Sequence, residues 1–469
     1  AADGVPALQR VNGMFAFAAW DSERRELTLV RDRIGKKPLY YAWAGGDIVF
    51  GSEIKALLQW PGLERRPNYE AIHHYLSLQY VPAPLTAFEG VFSLPPASLM
   101  ICSPGRRSVP TRYWSLPSPR SGQKQSNQGD LVAELRELLA RAVKRRLIAD
   151  VPVGAFLSGG VDSSSVAALM AQQAGTRIKT FSIGFSESAY DERKFARMVA
   201  ERYQTDHHEE VVSEDAAAII PDLVWHYGQP FADPSAIPTF HLSRLARRHV
   251  TVALSGDGSD EFFLGYERYA TCLRYGWVDR IPKMARQAME LAAASIPRPV
   301  SGWKYVRTGR RILQLSGASR GSRYEPTIMY FSGDDKAAAY GPQMRDQLGH
   351  GTTDLLEPYL DSAPTLMEGA AWADIHTYLP DDILVKVDVA SMAFGLEARA
   401  PFLDVDLMEW AARLPGTVKA SNGRLKSLLK AAVADLLPRE IIGRPKMGFS
   451  APLGIWLRGV FGNFAREVL

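Results

Sequence analysis

Two short stretches of the chain combine serine, glycine and acidic side chains in an order that suits the binding of a phosphate and a cation. They are LSGGVDSS, from Leu157 to Ser164, and ALSGDGSDE, from Ala253 to Glu261. Glycine lets the backbone approach an anion closely, and serine hydroxyls can donate to phosphate oxygens. A carboxylate repels a phosphate unless a cation lies between them, and Mg²⁺ takes one or two carboxylates together with phosphate oxygens. The two stretches therefore predict a site for a magnesium-bound phosphate group.

Each stretch is associated with an apolar run that predicts a buried strand. VPVGAFLS, from Val151, leads into the first stretch, and VTVALSG, from Val250, leads into the second. Ligands of an open parallel sheet bind beyond the carboxyl ends of its strands, and the start of a following helix attracts anions. We therefore predict that Asp162 and Asp260 share one Mg²⁺. From the first stretch alone, a helix cap at Asp162 explains the pattern equally well, and the second stretch favours the binding site.

The spacing of apolar residues divides the chain into two domains. Residues 1–114 carry short alternating runs such as MFAFAAWD and ELTLVRD, with a hairpin pattern around Gly45-Gly46, which predicts a β-rich domain. Residues 115–130 are polar and rich in Pro, Gly, Ser and Gln, which predicts a linker. Residues 131–469 alternate strand and helix patterns before a mostly helical last third, which predicts an α/β domain with a parallel sheet and flanking helices.

Composition argues against several classes of function. The 469 residues carry a net charge of +4, which gives no basis for a nucleic-acid partner or for binding to an acidic membrane surface. The two cysteines, Cys102 and Cys272, lie too far apart in the sequence to suggest a disulfide framework. With no apolar run of membrane-helix length and no signal peptide, the sequence predicts a cytoplasmic protein. The chain also contains no GxxxxGK[ST] sequence, which disfavours the P-loop kinases and GTPases.

Longer motifs in the same order resemble one known family. LSGGVDSS resembles the pyrophosphate-binding loop of the ATP pyrophosphatases. Together with LSGDGSDEFFLGY, YLPDDILVKVDVASMAFGLEARAPFLD and RPKMGFSAPLGIWLRG, it resembles glutamine-hydrolysing asparagine synthetase. NGMFAFAAWD, VRDRIGKKPLYY and FGSEIKALL resemble the later half of that family's glutaminase domain. The resemblance implies an adenine-nucleotide α-hydrolase-like domain preceded by a partial β-rich glutaminase sandwich.

The resemblance also implies a reaction and a set of binding residues. A carboxylate would attack the α-phosphate of ATP to give an acyl-adenylate and pyrophosphate, and ammonia would then displace AMP to give the amide. The adenosine part of ATP would contact Leu157, Ile183, Ser255 and Gly256. The pyrophosphate end would be held by Ser158, Gly159, Gly160, Asp162, Ser163 and Ser164, with Mg²⁺ on Asp162 and Asp260.

Two residues are candidates for catalysis on the same resemblance. Lys446, in RPKMGF, would supply positive charge where charge builds up on the phosphorus. On the residues alone, a solvated lysine before a glycine turn explains Lys446 better. Asp257 would assist the attacking amine, although some relatives carry the longer Glu there and an Asx-type turn also accounts for an Asp between two glycines.

The residues of the YLPDDILVKVD and GLEARAPFLD segments leave their roles open. A substrate role for Asp382 or Lys386 competes with a simple helix start, and Glu397 with Arg399 reads equally well as a structural ion pair. The acceptor acid is expected to be aspartate, with another carboxylate of a cell-surface polysaccharide or secondary metabolite as the alternative. An RNA-modifying ATP pyrophosphatase is disfavoured by the balanced charge and few cysteines, and a nucleotide-binding pseudoenzyme by the intact acidic and lysine positions.

The family's glutaminase uses a cysteine directly after the initiator methionine, whose own α-amine serves as the base. Cys102 and Cys272 lie deep in this chain, so we expect this chain to use ammonia and not to hydrolyse glutamine. We favour the explanation that both ends of a longer protein are missing, over a natural variant that uses free ammonia or another amine. The expected partners are ATP, aspartate or another carboxylate, and glutamine or ammonia, and a homodimer is compatible with this interpretation.

Asp162→Asn is predicted to abolish pyrophosphate release while leaving the fold intact, because a neutral amide is a much weaker ligand for a hard cation than a carboxylate. The measurement is pyrophosphate formed from ATP with Mg²⁺, ammonium and an acid, with circular dichroism as the check on folding. Release at the parent rate would show that the metal assignment is wrong.

Overall fold

The structure is a computed structural model that describes residues 4–118, 127–213, 218–282, 319–349 and 351–468, with isolated positions at 284, 285, 288, 289 and 291. The eight residues 119–126 of the predicted linker lie outside the described residues. No helix among the residues described is long and apolar enough to cross a membrane.

The first domain is built from two antiparallel sheets, as its alternating sequence predicts. One sheet has the order β1-β2-β6-β7 and the other the order β4-β3-β5. The strands are β1 (Ala16–Asp21), β2 (Glu26–Arg31), β3 (Tyr40–Ala44), β4 (Asp47–Gly51), β5 (Val91–Ser93), β6 (Ser98–Cys102) and β7 (Thr111–Arg112). The helices Ile54–Leu57 and Tyr69–Leu78 complete this part of the chain.

The predicted hairpin around Gly45-Gly46 is confirmed. β3 and β4 pair with Ala44 opposite Asp47, so that the two glycines form a two-residue turn. Both glycines have positive φ, +60° at Gly45 and +98° at Gly46. Such a turn matches the right-handed twist of the strands, and glycine adopts it without a steric penalty.

One buried cluster joins the two sheets of the first domain. Leu29 and Met100 come from the β1-β2-β6-β7 sheet, and Tyr41 comes from the β4-β3-β5 sheet. Cys102 lies in the same cluster as a free, buried thiol, so its role in the fold is that of a small apolar side chain. The packing of the two inner faces is what holds this domain together.

The second domain contains the predicted parallel sheet. Its strands are β8 (Val153–Phe156), β9 (Lys179–Phe185), β10 (Asp206–Val212), β11 (Val252–Leu254) and β12 (Glu397–Arg399). Their order is β10-β9-β8-β11-β12, and all four pairings are parallel. β8 and β11 are therefore neighbours, with Val153 opposite Val252, and the two serine-glycine turns leave the same edge of the sheet.

Helices cover both faces of this sheet. On one face, Leu135, Val166 and Val199 belong to a buried cluster with the strand residue Ala155. On the other face, Phe240 and Leu245 of the helix Ala236–Arg247 pack with residues such as Phe181. Burial on both faces explains why β8, with the sequence VGAF, has no polar residue on either face.

The described helices of the second domain have the following bounds: Gln128–Arg146, Val161–Gln173, Arg193–Arg202, Ile220–Tyr227, Ala236–Arg247, Ser259–Phe263, Glu267–Tyr275, Arg320–Tyr324, Gly333–Ala339, Pro342–Arg345, Glu357–Asp361, Leu366–His376, Leu384–Met392, Val405–Arg413, Gly416–Lys419, Ser427–Ala432, Arg439–Gly443, Leu453–Trp456 and Val460–Val468. The turn Leu379–Ile383 is a π-helix that continues directly into Leu384–Met392.

Two local details differ from the sequence prediction. The helix predicted to follow the linker begins at Gln128, because the Asn127 side chain accepts a hydrogen bond from the Gly129 N–H and caps it. The last three residues of the predicted linker are therefore helical. β12 was not predicted, because a strand of three residues, Glu397–Arg399, is too short and too polar to show a strand pattern. Glu397 and Arg399, for which an ion pair and a site role were equally open, form an ion pair at 2.6 Å.

Candidate active site

The two serine-glycine turns touch each other beyond the ends of β8 and β11. A Cβ atom built on Gly256 would lie 2.9 Å from both the Cβ of Asp162 and the backbone N of Ser163. Such distances are too short for any other side chain, so the contact requires glycine at this position. The arrangement brings the carboxylates that follow the two strands into one place.

The first turn is closed by its own serines. The backbone N–H of Ser158 donates to Oγ of Ser163 at 3.2 Å, and the two serine hydroxyls lie 3.0 Å apart. The Gly160 N–H donates to Oγ of Ser158 at 3.3 Å. The helix Val161–Gln173 begins directly after this turn, so its unpaired N–H groups and positive dipole end lie next to the turn.

The two aspartates share one lysine. Nζ of Lys426 lies 2.6 Å from both carboxylate oxygens of Asp162 and 2.6 Å from Oδ1 of Asp260. Lys446 contacts Oδ2 of Asp260 at 2.7 Å and lies 3.8 Å from Oδ2 of Asp162. Ser259 adds a hydrogen bond from its hydroxyl to Oδ1 of Asp162 at 2.7 Å. Two carboxylates and two ammonium groups thus form a compact, charge-balanced cluster.

Lys426 reaches the two aspartates because its backbone is left-handed and because Gly265 has no side chain in the space that the lysine fills. Its φ is +55°, in the left-handed region, where the helix Ser427–Ala432 begins. A Cβ on Gly265 would lie 2.1 Å from Cε of Lys426 and 1.8 Å from Oδ1 of Asp260, so glycine leaves the space that this ion pair fills. Sequence reasoning missed Lys426, because GRLKSLLK carries no motif and lies far from either aspartate along the chain.

The ion pairs override burial in setting the charges of the cluster. Burial alone would raise the pKa of Asp260, but attraction to Lys426 and Lys446 holds that pKa well below its usual range. Burial would lower the pKa of Lys446, and the nearby carboxylates of Asp260 and Asp162 raise it instead. Asp260 and Lys446 are therefore both charged at neutral pH, and exposure of about a third of the Lys446 side chain to water also favours its charged form.

The donor set fits Mg²⁺ only with help from a bound nucleotide. Asp162 and Asp260 face a common point, which Nζ of Lys426 marks, and two carboxylates with phosphate oxygens are the ligands that this ion prefers. Among the described residues, no group of three or more His, Cys, Asp or Glu side chains could hold a metal ion. An ion between Asp162 and Asp260 would therefore take its remaining ligands from phosphate and water.

A second charged group lies at another part of the same cavity wall. Nζ of Lys386 donates to Oδ2 of Asp233 at 2.8 Å, and the Ser235 backbone N–H and hydroxyl donate to Oδ1 of Asp233 at 2.7 and 2.6 Å. Burial would raise the pKa of Asp233, but Lys386 and Ser235 lower it, so the carboxylate is ionised. Burial would lower the pKa of Lys386, and Asp233 and Asp382 raise it.

Three other acidic side chains in this region are shifted towards the neutral form. Burial is the main cause in each case: it raises the pKa of Asp257, raises that of Glu261 to about 7, and raises that of Asp382 well above its usual range. Oε1 of Glu261 accepts a hydrogen bond from the Tyr266 hydroxyl at 2.7 Å. Asp257 and Glu261 line the cavity, whereas Asp382 lies behind it, one turn before Lys386 on the helix.

The cavity has a volume of about 880 Å³, which is large enough for a nucleotide and a small second substrate. The structure brings together on its wall most of the predicted residues, namely Leu157, Ser158, Gly160, Asp162, Ser163, Ile183, Ser255, Gly256, Asp257, Asp260 and Lys446. Lys386 lines it as well, so the position considered for a substrate role does face the cavity.

Two predicted pyrophosphate contacts receive no support from the geometry. Gly159 does not line the cavity: its φ is +76°, and a Cβ there would lie 2.5 Å from Cβ of Phe195, so glycine is needed for packing against the helix Arg193–Arg202. Ser164 is fully buried within the helix Val161–Gln173 and does not line the cavity either. The motif predicts the turn, but it does not show which of its residues face the ligand.

Comparison with known proteins agrees with this arrangement. Residues 134–469 match the model of the asparagine synthase family, and residues 1–114 match that of the glutamine amidotransferase domain. A putative glutamine-hydrolysing asparagine synthetase of Mycobacterium bovis is 36% identical over 468 residues, which cover 97% of this chain and 69% of that protein. Glutamine-hydrolysing asparagine synthetase 1 of Bacillus subtilis is 32% identical over 467 residues, covering 99% of this chain and 71% of that protein.

The chain belongs to the asparagine synthase family, and it is an ATP-dependent ligase that forms carbon–nitrogen bonds. The resemblance noted from the sequence motifs is thereby confirmed, as is the α/β class of the second domain. The chain is also similar to a protein with a different name: the amidase chyE of Penicillium rubens is 29% identical over 498 residues, covering 97% of this chain and 72% of that protein.

Lys426→Met is expected to destabilise the protein by about 3 kcal/mol, because it leaves Asp162, whose side chain is only 13% exposed, beside a second carboxylate without its main partner. Asp162→Asn in the same chain should restore part of that loss, since it removes the uncompensated charge. Thermal unfolding of both single variants and the double variant measures the coupling. If the two losses simply add, the shared lysine does not hold the cluster together.

Proposed function

We propose that the enzyme adenylates the side chain of aspartate with ATP and then transfers ammonia to it, releasing pyrophosphate, AMP and asparagine. The observation that carries the proposal is the placement of Asp162, Asp260, Lys426 and Lys446 together on one wall of a cavity that follows the neighbouring strands β8 and β11. Membership of the asparagine synthase family supports the same chemistry.

In the proposed first step, the triphosphate lies against the Ser158–Ser163 turn with its β- and γ-phosphates towards Asp162 and Asp260. Mg²⁺ held by these carboxylates would neutralise the pyrophosphate as it leaves. Attraction to Asp260 and Asp162 raises the pKa of Lys446, so this ammonium group would place positive charge where the transferred group becomes more negative, with Nζ of Lys426 beside the same two carboxylates. The acceptor carboxylate attacks the α-phosphorus, the bond from that phosphorus to the bridging oxygen breaks, and pyrophosphate departs.

In the proposed second step, ammonia attacks the carbonyl carbon of the acyl-adenylate and AMP leaves. The attacking nitrogen must lose a proton, and Asp257 is the candidate acceptor because it lines the cavity next to Gly256. Burial raises the pKa of Asp257, which brings it closer to the pH at which a general base works best. The proton acceptor and the adenylate would thus share one turn.

The Asp233–Lys386 pair supports an amino acid as the acceptor. It presents one negative and one positive group to the cavity, and an α-amino acid carries the complementary ammonium and carboxylate. Burial raises the pKa of the neighbouring Asp382 well above its usual range, so the ion pair of Asp233 with Lys386 is the main charged feature of that region. A sugar acid has no ammonium group to place against Asp233.

A carboxylate other than aspartate is the second candidate. The observation that favours it is the presence of amidase-named relatives, such as that of Penicillium rubens, at 29% identity over 97% of this chain. The chemistry of ATP and ammonia would be unchanged, and only the acid that lies beside Asp233 and Lys386 would differ.

The experiment is a screen of acids with ATP, Mg²⁺ and ammonium chloride, in which AMP, pyrophosphate and the amide are measured. We expect L-aspartate to give all three products, and succinate, which lacks the ammonium group, to give at least tenfold less because Asp233 would be left unpaired. D-glucuronate serves as the sugar-acid comparison.

Turnover of D-glucuronate in preference to L-aspartate would show that the acceptor is assigned wrongly while adenylation stands. Absence of AMP with every acid tested would overturn the proposed reaction itself. Lys386→Met is the matched variant, and it should raise the KM for the acid without changing the KM for ATP. The reason is that Lys386 contacts Asp233 and not the phosphate-binding cluster, by which we mean Asp162, Asp260, Lys426 and Lys446.

A further inference from the structure

One segment of the first domain contacts two loops of the second domain directly behind the Asp233–Lys386 pair. This interdomain segment, Gln79–Ala87, follows the helix Tyr69–Leu78. Its backbone makes three hydrogen bonds across the domain boundary, and each one ends within four residues of Asp233 or next to Asp382.

Two of these hydrogen bonds hold the loop that carries Asp233. The backbone N–H of Ala232 donates to the carbonyl oxygen of Gln79 at 2.9 Å. The backbone N–H of Ala87 donates to Oε1 of Gln229 at 3.1 Å. Gln79 has a φ of +69°, and this left-handed residue ends its helix so that the carbonyl is turned towards Ala232.

The third hydrogen bond holds the turn that leads to Lys386. The backbone N–H of Ala83 donates to Oδ2 of Asp381 at 2.9 Å. Asp381 belongs to the π-helical turn Leu379–Ile383, which continues into the helix that carries Lys386. π-Helical turns are rare and are frequently found at functional sites.

Ring contact adds a fourth connection between the same elements. Tyr80 is almost fully buried, and its ring centroid lies 6.1 Å from that of Tyr378, which lines the cavity. The guanidinium of Arg268, in the second domain, lies 4.6 Å from the centroid of the Tyr378 ring, so that ring has partners in both domains. The interdomain segment thus contacts the surroundings of both members of the Asp233–Lys386 pair.

We infer that Gln229 and Asp381 are positioning residues through which the first domain sets the geometry of the Asp233–Lys386 pair, and with it the affinity for the acceptor acid. The inference rests on the proposed function for the role of that pair. Neither residue touches the cavity, so each acts through its neighbour: Gln229 through the Asp233 loop and Asp381 through the turn before Lys386. The phosphate-binding cluster makes no use of these contacts.

The test compares Gln229→Leu and Asp381→Ala with Trp114→Phe. Trp114 also joins the domains, by a 3.0 Å hydrogen bond from Nε1 to Oε1 of Glu409, but this partner belongs to the helix Val405–Arg413 and not to the Asp233 loop or the turn before Lys386. Asp381→Asn is the conservative variant, because its amide oxygen can still accept from Ala83. Circular dichroism and thermal unfolding of each variant show whether it folds.

The first readout is amide hydrogen exchange of the free protein, which needs no substrate. We expect the exchange of residues 232–235 to become roughly three- to tenfold faster in Gln229→Leu, and that of residues 381–386 to do so in Asp381→Ala. In each variant the cause is the loss of one interdomain hydrogen bond. Trp114→Phe and Asp381→Asn should leave these segments as in the parent. Unchanged exchange in both Gln229→Leu and Asp381→Ala would overturn the inference, whatever the acceptor acid is.

The second readout is steady-state kinetics of pyrophosphate release with L-aspartate, ATP and ammonium chloride. We expect Gln229→Leu and Asp381→Ala to raise the KM for L-aspartate roughly three- to tenfold and to leave the KM for ATP unchanged. A merely structural role would lower kcat/KM for L-aspartate and for ATP by the same factor, and that result would count against the inference. If exchange is faster in the two variants but the parent protein turns over no acid, the positioning role stands and only the proposed function is overturned.

Discussion

The ion pair of Lys426 with Asp162 and Asp260 is the interaction on which the site depends. Two carboxylates that lie this close together in a buried place repel each other strongly unless a cation lies between them. One ammonium group, 6% exposed, supplies that cation and joins the ends of two strands to a helix start more than 160 residues further along the chain. The neighbouring order of β8 and β11 and the glycines at 256 and 265 are the conditions that allow this contact.

The sequence predicted those parts of the fold that local patterns determine. Alternating residues and two positive-φ glycines are enough for the β3–β4 hairpin, and apolar runs followed by serine and glycine are enough for β8 and β11. β12 is different: its three residues form a strand only because the exposed edge of β11 pairs with them. Tertiary contact, and not propensity, decides such an element.

The candidate site was predictable where its members share a motif and unpredictable where they do not. Asp162 and Asp260 each follow a strand, so their meeting could be anticipated from the rule for open parallel sheets. Lys426 reaches them through a left-handed backbone residue and a space left by Gly265, and neither leaves a signal that can be recognised without the fold. Gly159 is the opposite case: it belongs to the motif, but the structure shows that glycine is needed there for packing against Phe195.

The charges of the two groups on the cavity wall suggest how the substrates are distinguished. Asp162 and Asp260 balance Lys426 and Lys446, so the cluster as a whole has little net attraction for a bare triphosphate. A nucleotide that arrives with its own divalent cation offers Asp162 and Asp260 a new partner and leaves the two ammonium groups for phosphate oxygens. The Asp233–Lys386 pair is also balanced, but it is fixed by hydrogen bonds from Ser235, so it can exchange partners only with a ligand that carries both charges. If the proposed function holds, electrostatic balance before binding would favour a magnesium-bound nucleotide at one group and a zwitterionic acid at the other.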